Sequence, residues 1–444
     1  MMLCGPQRFE AEFVHQLRDI ARCKKSFPQP LVGIKPVIGR RAIQADIIEF
    51  NLTDIKDMEF PDHALPTLNL FYFPLRELTP RAARYASIAP NFREDDMRGV
   101  TFLGDRKLKL ADFPDPSPGP RDVVVEIKAS GMCGSDLKPY RATGEASSLG
   151  LGKVLGPVIA GHEPCGVVAA VGIAVDERLA RVGDRVMVHH YAGCGTCRHC
   201  QTGWAQMCDA GSIVYGMTGH GAHAPYMKVP ADTLVALPEA LSFPTGAAIS
   251  CGTGTAYQAL RRMNIAGGDT IVIVGQGPVG LSGTQLAVAM GARVIALDVS
   301  AERLSRAKEF GAEAVIDPGA VDAPAAIKDL THGAGADLAL DTSGTAAGRL
   351  VAIRSTRKWG TVCFVGEGGD VTIDVSPDML RKQLTILASW TFSKVIQADC
   401  ARFIADHKID VEHLFTDRWK LEQADQAYAL FDKQTTGKGV FLVN

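Results

Sequence analysis

No stretch of the 444 residues is apolar enough to read as a membrane span. The most apolar region, Gly277 to Val299, is broken by Gly280, Gly283, Gln285, Gly291 and Arg293. Neither sign of charge dominates: 47 basic residues stand against 49 acidic ones, for a formal net charge of -2 and a pI near 6.6. The chain therefore has no electrostatic footprint for nucleic acid or an anionic membrane, and small molecules are the expected partners. The opening MMLCGPQRFEAEF carries charge where an export signal needs an apolar segment, so the cytoplasm is the expected location. Glycine is scarce in one place, with 3 of the 45 in residues 1–96, and the composition changes at Met97. That first segment is either an extension packing on the main body or upstream sequence joined by an early start codon. The second is expected, because MRGVTFLGDRKLKLADFPDPSPGPRDVVVEI opens like a complete domain: a short strand, a Pro-rich turn, then an alternating strand.

Cysteine is not scarce. Of eleven, Cys194, Cys197, Cys200 and Cys208 fall within 15 residues, too close together for a framework that staples distant parts of a fold. Without an export signal such clustering reads as metal binding, and four thiolates close a tetrahedral zinc site with no free position.

From Met97 to about Ala248, short β-rich runs (Val123–Ile127, Gly166–Val171, Arg185–His189, Ala224–Val229) are separated by Gly and Pro, which suggests a compact mostly-β domain. After Cys251 strands alternate with helical patterns: Thr270–Val274, Arg293–Leu297, Ala314–Ile316, Asp337–Asp341, Thr361–Val365 and Leu384–Ala388. Six such strands make one doubly wound parallel sheet, so the fold class is α/β. The boundaries expected are 97–250 with 393–444 for the first domain and 251–392 for the second.

Gly275, Gly277 and Gly280, with Pro278 and Val279 between them, follow the apolar strand TIVIV and open a helix-compatible run. The first glycine permits the turn, the second lets backbone approach a pyrophosphate, the third allows close helix–strand packing, and Pro278 suits a first helical turn. Asp298 ends the next strand 18 residues on. Its carboxylate can accept from ribose hydroxyls and repels a 2′-phosphate, which favours NAD over NADP. Arg303, on the following helix, complicates that choice or belongs to a solvated face.

Three further motifs, GMCGSD, AGHEPCGVVAAVG and ISCGTGTAY, carry Cys133, His162 and Cys251. Taken singly each residue is a weak signal. With VGDRV, the four-cysteine lobe and VGQGPVG, they make Met97–Asn444 resemble a zinc-dependent medium-chain dehydrogenase/reductase of the alcohol and polyol branch. The resemblance implies a GroES-like catalytic domain, a Rossmann NAD domain and a site in the cleft between them. It also implies the two-sulfur, one-nitrogen zinc set of alcohol dehydrogenase at Cys133, His162 and Cys251, with one position open. Glu163 then lies behind the metal, Asp136 orients the His162 ring, Ser135 takes the substrate proton and Thr255 faces the nicotinamide. Two zinc ions per subunit and a homodimer or homotetramer follow from the same resemblance. Lys138 stands where many relatives place a proton-relaying histidine, so three alternatives are open: Lys138 relays, water substitutes, or Lys138 meets the substrate. Spacing from VGDRV puts His190 where simple alcohol dehydrogenases have a large aromatic residue. The substrate expected is a polyol, sugar derivative or hydroxy acid oxidised to a ketone by NAD. The alternatives are a simple aliphatic alcohol dehydrogenase, a zinc-independent enone or quinone reductase, and a non-catalytic dinucleotide-binding protein. His189, His220 and His223 read as structural or surface residues, and Cys165, Cys363 and Cys400 as buried small apolar ones.

Overall fold

The computed structural model describes residues 96–143, 157–434 and 437–443. The reading of the first segment, with its Cys4 and Cys23, falls on residues 1–95, which lie outside the described residues.

The punctuated apolar runs after Met97 form β1 (Met97–Gly104), β2 (Lys107–Phe113), β3 (Asp122–Gly131), β4 (Pro164–Val171), β5 (Arg185–Val188), β6 (Tyr191–Ala192), β7 (Ile213–Val214), β8 (Tyr226–Pro230) and β9 (Leu234–Ala236). β1 and β2 make an antiparallel hairpin, and β6 pairs with β7. β3 pairs antiparallel with both β4 and β8, and the sheet continues through β5 to β9. Its DVVVEIKASG sequence is buried along most of its length, as a central strand requires.

From Thr270 the pattern changes to β10 (Thr270–Val274), β11 (Arg293–Leu297), β12 (Ala314–Ile316), β13 (Ala336–Asp341), β14 (Thr356–Phe364) and β15 (Thr385–Ala388). These lie in one parallel sheet, ordered β12-β11-β10-β13-β14-β15, with the order reversing between β10 and β13. Such a switch point is where α/β sheets open a ligand crevice at the carboxyl ends of their strands. TIVIV and RVIAL are continuous apolar runs because helices cover both faces. Ser300, Asp322 and Thr345 start three of those helices, each side chain accepting a backbone N–H in the first turn. Several strand ends shift from those expected, the start of β14 furthest. β14 begins at Thr356, because Ala336 pairs with Thr356 while Leu338 pairs with Thr361. The intervening residues bulge out, with Trp359 at φ 62°.

The chain then returns to the first sheet. β16 (Phe415–Trp419) runs parallel to β17 (Lys438–Leu442), which pairs antiparallel with β3. This return places C-terminal side chains directly behind the residues that follow β3. Among the described residues no helix is long and apolar enough to cross a membrane.

Candidate active site

Cys133 follows β3 and caps the 3-10 turn Gly134–Asp136, where its N–H donates to Asp136 Oδ2 at 2.9 Å. His162 precedes β4, and Cys251 caps the helix Gly252–Arg262. The topology brings these three together: their ligating atoms lie within 4.8 Å of one another, and the two sulfurs are 3.9 Å apart. A tetrahedral centre with Zn–S bonds of about 2.3 Å has an S···S edge of about 3.8 Å, so the donor set fits zinc. The thiol–thiol hydrogen bond pulls Cys133 below the usual thiol range and pushes Cys251 above it. His162 Nδ1 donates to Asp136 Oδ1 at 2.8 Å, which leaves Nε2 as the nitrogen free to ligate. Burial works to raise Asp136, but the neighbouring His162 draws its carboxyl below the ordinary range.

Cys194, Cys197, Cys200 and Cys208 form a second group, again with all donor atoms within 4.8 Å, and Cys197 Sγ lies 3.9 Å from Cys208 Sγ. The Cys197 N–H donates to Cys194 Sγ and the Cys194 N–H to Cys208 Sγ, both at 3.3 Å. Hydrogen bonds, the Thr196 hydroxyl first, bring the Cys194 thiol down to about 6. Four sulfurs so placed are a closed donor set, and ionising them side by side needs a cation among them.

The three-donor group opens on a cleft of about 960 Å³, at the upper end of small-molecule sites. Ser135, Lys138, His190, Thr255 and the 275–280 loop all line it. Gly275 has φ +90°, and a Cβ on Gly280 would sit 1.8 Å from the Gly275 carbonyl, so both positions require glycine. Gly277 caps the helix Pro278–Ala289 and faces open space, the cradle a phosphate needs. The buried Gln276 amide pins the loop, donating to the Ile273 carbonyl and accepting from Thr284, both at 2.9 Å. Asp298 lies just past β11 and accepts the Gln276 N–H at 2.6 Å and the Ser300 N–H at 2.9 Å. Each carboxylate oxygen keeps a second lone pair for a ribose hydroxyl. Arg303 is not on a solvated face: it lines the cleft, reaches Asp298 at 3.8 Å and donates to the Gln434 carbonyl at 2.7 Å.

Two polar residues of the cleft are already engaged by neighbours. Lys138 does not lend the cleft a net positive charge, because its ammonium is paired across the cleft with Glu367, which also accepts from Trp390 Nε1 at 3.2 Å. His190 offers the cleft one ring nitrogen, not two. Its Nδ1–H is taken by the Ser250 carbonyl at 2.9 Å, and burial holds the ring well below its usual pKa. Only Nε2 remains, as an acceptor. Among the other histidines, His220 is exposed, while His189 and His223 are buried. Cys165, Cys363 and Cys400 are fully buried, as read from the sequence.

One buried charge beside the site escaped sequence reasoning. Lys438, at the head of β17, is 2% exposed and places Nζ 2.7 Å from Glu163 Oε1, 2.6 Å from Oε2 and 2.9 Å from the Met132 carbonyl. Burial pushes the Glu163 carboxyl up, and the Lys438 ammonium opposes that shift.

Known proteins resemble this arrangement. Residues 119–239 match the alcohol dehydrogenase GroES-like domain and residues 278–406 the zinc-binding dehydrogenase family. An uncharacterised zinc-type alcohol dehydrogenase-like protein of Escherichia coli is 41% identical, over 78% of this chain and 98% of its own. The sorbitol dehydrogenase of Bacillus subtilis is 32% identical, over 75% and 92%. The crystal structure of galactitol-1-phosphate dehydrogenase from Escherichia coli superposes with a TM-score of 0.69 at 28% identity, covering 78% of this chain and all of that one. The chain belongs to the zinc-dependent medium-chain dehydrogenase/reductase superfamily. It is an oxidoreductase of the zinc-type alcohol and polyol dehydrogenase kind, with a GroES-like portion and a Rossmann sheet.

Proposed function

We propose that the protein oxidises a secondary alcohol of a polyol, sugar derivative or hydroxy acid to a ketone, with NAD as hydride acceptor. It carries two zinc ions per subunit and works in the cytoplasm as a homodimer or homotetramer. The observation that carries this reading is the single cleft shared by Cys133, His162 and Cys251 with the 275–280 loop and Asp298. When bound, zinc supplies Lewis acidity that lowers an alcohol's pKa, and the nicotinamide accepts a hydride. Ser135, half-buried on the cleft wall beside Cys133, takes the hydroxyl proton. Lys138 does not pass it on, since its ammonium is committed to Glu367; the proton leaves Ser135 to water. Thr255 lines the cleft one helical turn past Cys251 and meets the nicotinamide ring.

His190 Nε2 selects the substrate by accepting from a hydroxyl next to the reacting carbon. A bare alkyl chain there would leave it unpaired, at about 1–3 kcal/mol. The neutral Lys138–Glu367 pair favours uncharged hydroxyls over carboxylates within the proposed class. NADH formation measured against polyols, aldonates, propan-2-ol and cyclohexanol tests this. Polyols should give the highest kcat/KM, and His190→Phe should shift preference toward the aliphatic alcohols. Higher kcat/KM for cyclohexanol in the wild type would overturn the proposal.

NAD should be preferred over NADP by about tenfold, roughly 1.4 kcal/mol. Asp298→Ala should narrow that gap, by leaving Arg303 free of its carboxylate, and should raise KM for NAD, because the Gln276 and Ser300 N–H groups lose their acceptor. Equal use of both cofactors by the wild type would remove this role for Asp298.

A further inference from the structure

Behind the three-donor group runs a chain of buried hydrogen bonds that the proposed reaction does not use. Asp136, which takes the His162 Nδ1–H, also accepts from the Tyr428 hydroxyl at 3.2 Å. That hydroxyl lies 2.8 Å from His223 Nε2, and His223 Nδ1 lies 2.8 Å from Ser130 Oγ. Ser130, Asp136, His223 and Tyr428 are each 0% exposed, so water offers none of them an alternative partner. The proton positions follow in order. An ionised carboxylate only accepts, so Tyr428 donates to Asp136 and its oxygen is left to accept the His223 Nε2–H. Burial brings His223 down to about 4, the ring is neutral, and Nδ1 accepts from the Ser130 hydroxyl. One tautomer of His223 therefore satisfies every member.

Packing holds the chain in place. Gly161, immediately before His162, has φ +91°, and a Cβ there would fall 2.3 Å from His223 Nδ1, so the backbone carrying His162 lies directly on the His223 ring. Phe441 meets that ring edge-on at 4.6 Å, and Phe102 meets Tyr428 edge-on at 4.8 Å. The partners come from β3, from the loop before β8 and from the helix Ala424–Phe431.

We propose that Tyr428 and His223 are positioning residues for the metal centre: through Asp136 they lock the His162 ring with Nε2 toward Cys133 and Cys251, and so slow release of the metal. This rests on the reading of Cys133, His162 and Cys251 as zinc ligands. The mechanism is orientational. Asp136 accepts three hydrogen bonds, from Cys133 N–H, His162 and Tyr428, and with Tyr428 removed the carboxylate can swivel and release the imidazole from its fixed plane.

The test is the rate at which full-length zinc-loaded protein gives up zinc to a chromogenic chelator. The phase missing from Cys251→Ser identifies the three-donor site. If no phase depends on Cys251, it is the ligand reading that fails. Given that phase, Tyr428→Phe should accelerate it by about 10–100-fold, the range for outer partners of metal ligands. Ser130→Ala, at the far end of the chain, should accelerate it several-fold. Phe102→Leu loosens packing on the same ring but cuts no hydrogen bond, and should leave the rate within about twofold of wild type. An unchanged rate in Tyr428→Phe, or an equal acceleration in Phe102→Leu, overturns the proposal. If Tyr428→Phe does not fold, an unchanged rate in Ser130→Ala does so instead.

Discussion

Cys251→Ser is expected to abolish turnover and remove one equivalent of zinc while leaving the unfolding midpoint close to that of the wild type. The substitution is nearly isosteric and falls at the cap of the helix Gly252–Arg262, where the cap side chain makes no hydrogen bond to the helix backbone. The fold loses little. The metal loses one of three protein donors, and the remaining Cys133 and His162 cannot hold it against water, so the loss of kcat/KM should exceed the 10–100-fold of an outer partner. Cys197→Ser should do the reverse. Its loop, residues 193–211, carries only the short helix Arg198–Gln201 and the 3-10 turn Ala205–Met207, with little apolar burial to hold it. Closing such a loop around a metal contributes folding free energy directly. The variant should therefore unfold at lower temperature and yield less folded protein, with near-normal activity per folded, fully zinc-loaded molecule. Elemental analysis, thermal unfolding and steady-state kinetics on both variants separate the two sites. One zinc or none in fully active wild-type protein would refute the two-site reading.

The contrast between local and long-range partners explains what could be read without coordinates. The four-cysteine group and the nucleotide loop are legible because each packs its chemistry into one short segment, and the strand before Gly275 and the carboxylate after β11 supply their context. The six parallel strands were legible for the same reason: strands buried on both faces are continuous apolar runs. The bulge at 357–360 was not, since a register shift breaks the apolar run, and Arg357, Lys358, the exposed Trp359 and Gly360 look like a turn. Charge partners were hidden most thoroughly. Lys138 and Glu367 are 229 positions apart, Asp136 and Tyr428 292, and Glu163 and Lys438 275. A lone lysine before the apolar run GVFLV looks like an ordinary strand end. Nothing in its neighbourhood shows that β17 will pair with β3 and carry its ammonium behind the metal group.

That buried pair gives the largest expected effect on stability. Lys438→Met removes the ammonium that Glu163 Oε1 and Oε2 and the Met132 carbonyl share, and leaves the carboxylate enclosed without that partner. Removing one member of a buried pair costs about 3–5 kcal/mol, because the partner's desolvation is no longer compensated. Methionine matches the lysine stem in length and apolarity, so the loss reports charge more than volume. Gly131 sharpens the effect: a Cβ there would lie 1.9 Å from Glu163 Oε2, so the carboxyl is wedged against the β3 backbone and cannot swing away. Protonation is its remaining escape. Burial already favours the neutral carboxyl and Lys438 opposes it, so removing Lys438 raises the Glu163 pKa further. The sign of the pH dependence follows. A folded-state pKa above the unfolded value means that the folded state binds the extra proton, so the variant loses stability as pH rises toward that pKa and regains it in mild acid. Adding Glu163→Gln, which removes the charge and keeps the shape, should recover more than half of the loss at neutral pH and flatten the pH dependence. Chemical denaturation of the wild type, the single variant and the double variant, at about pH 5.5 and about pH 8 (roughly 2.5 units apart, on either side of neutrality), provides the comparison. If Lys438→Met and the double variant are equally unstable at both pH values, the pair with Glu163 does not hold this region together electrostatically, and the other contacts of the Lys438 ammonium, with the Met132 carbonyl at 2.9 Å and over the Phe415 ring at 5.9 Å, are what the variant loses.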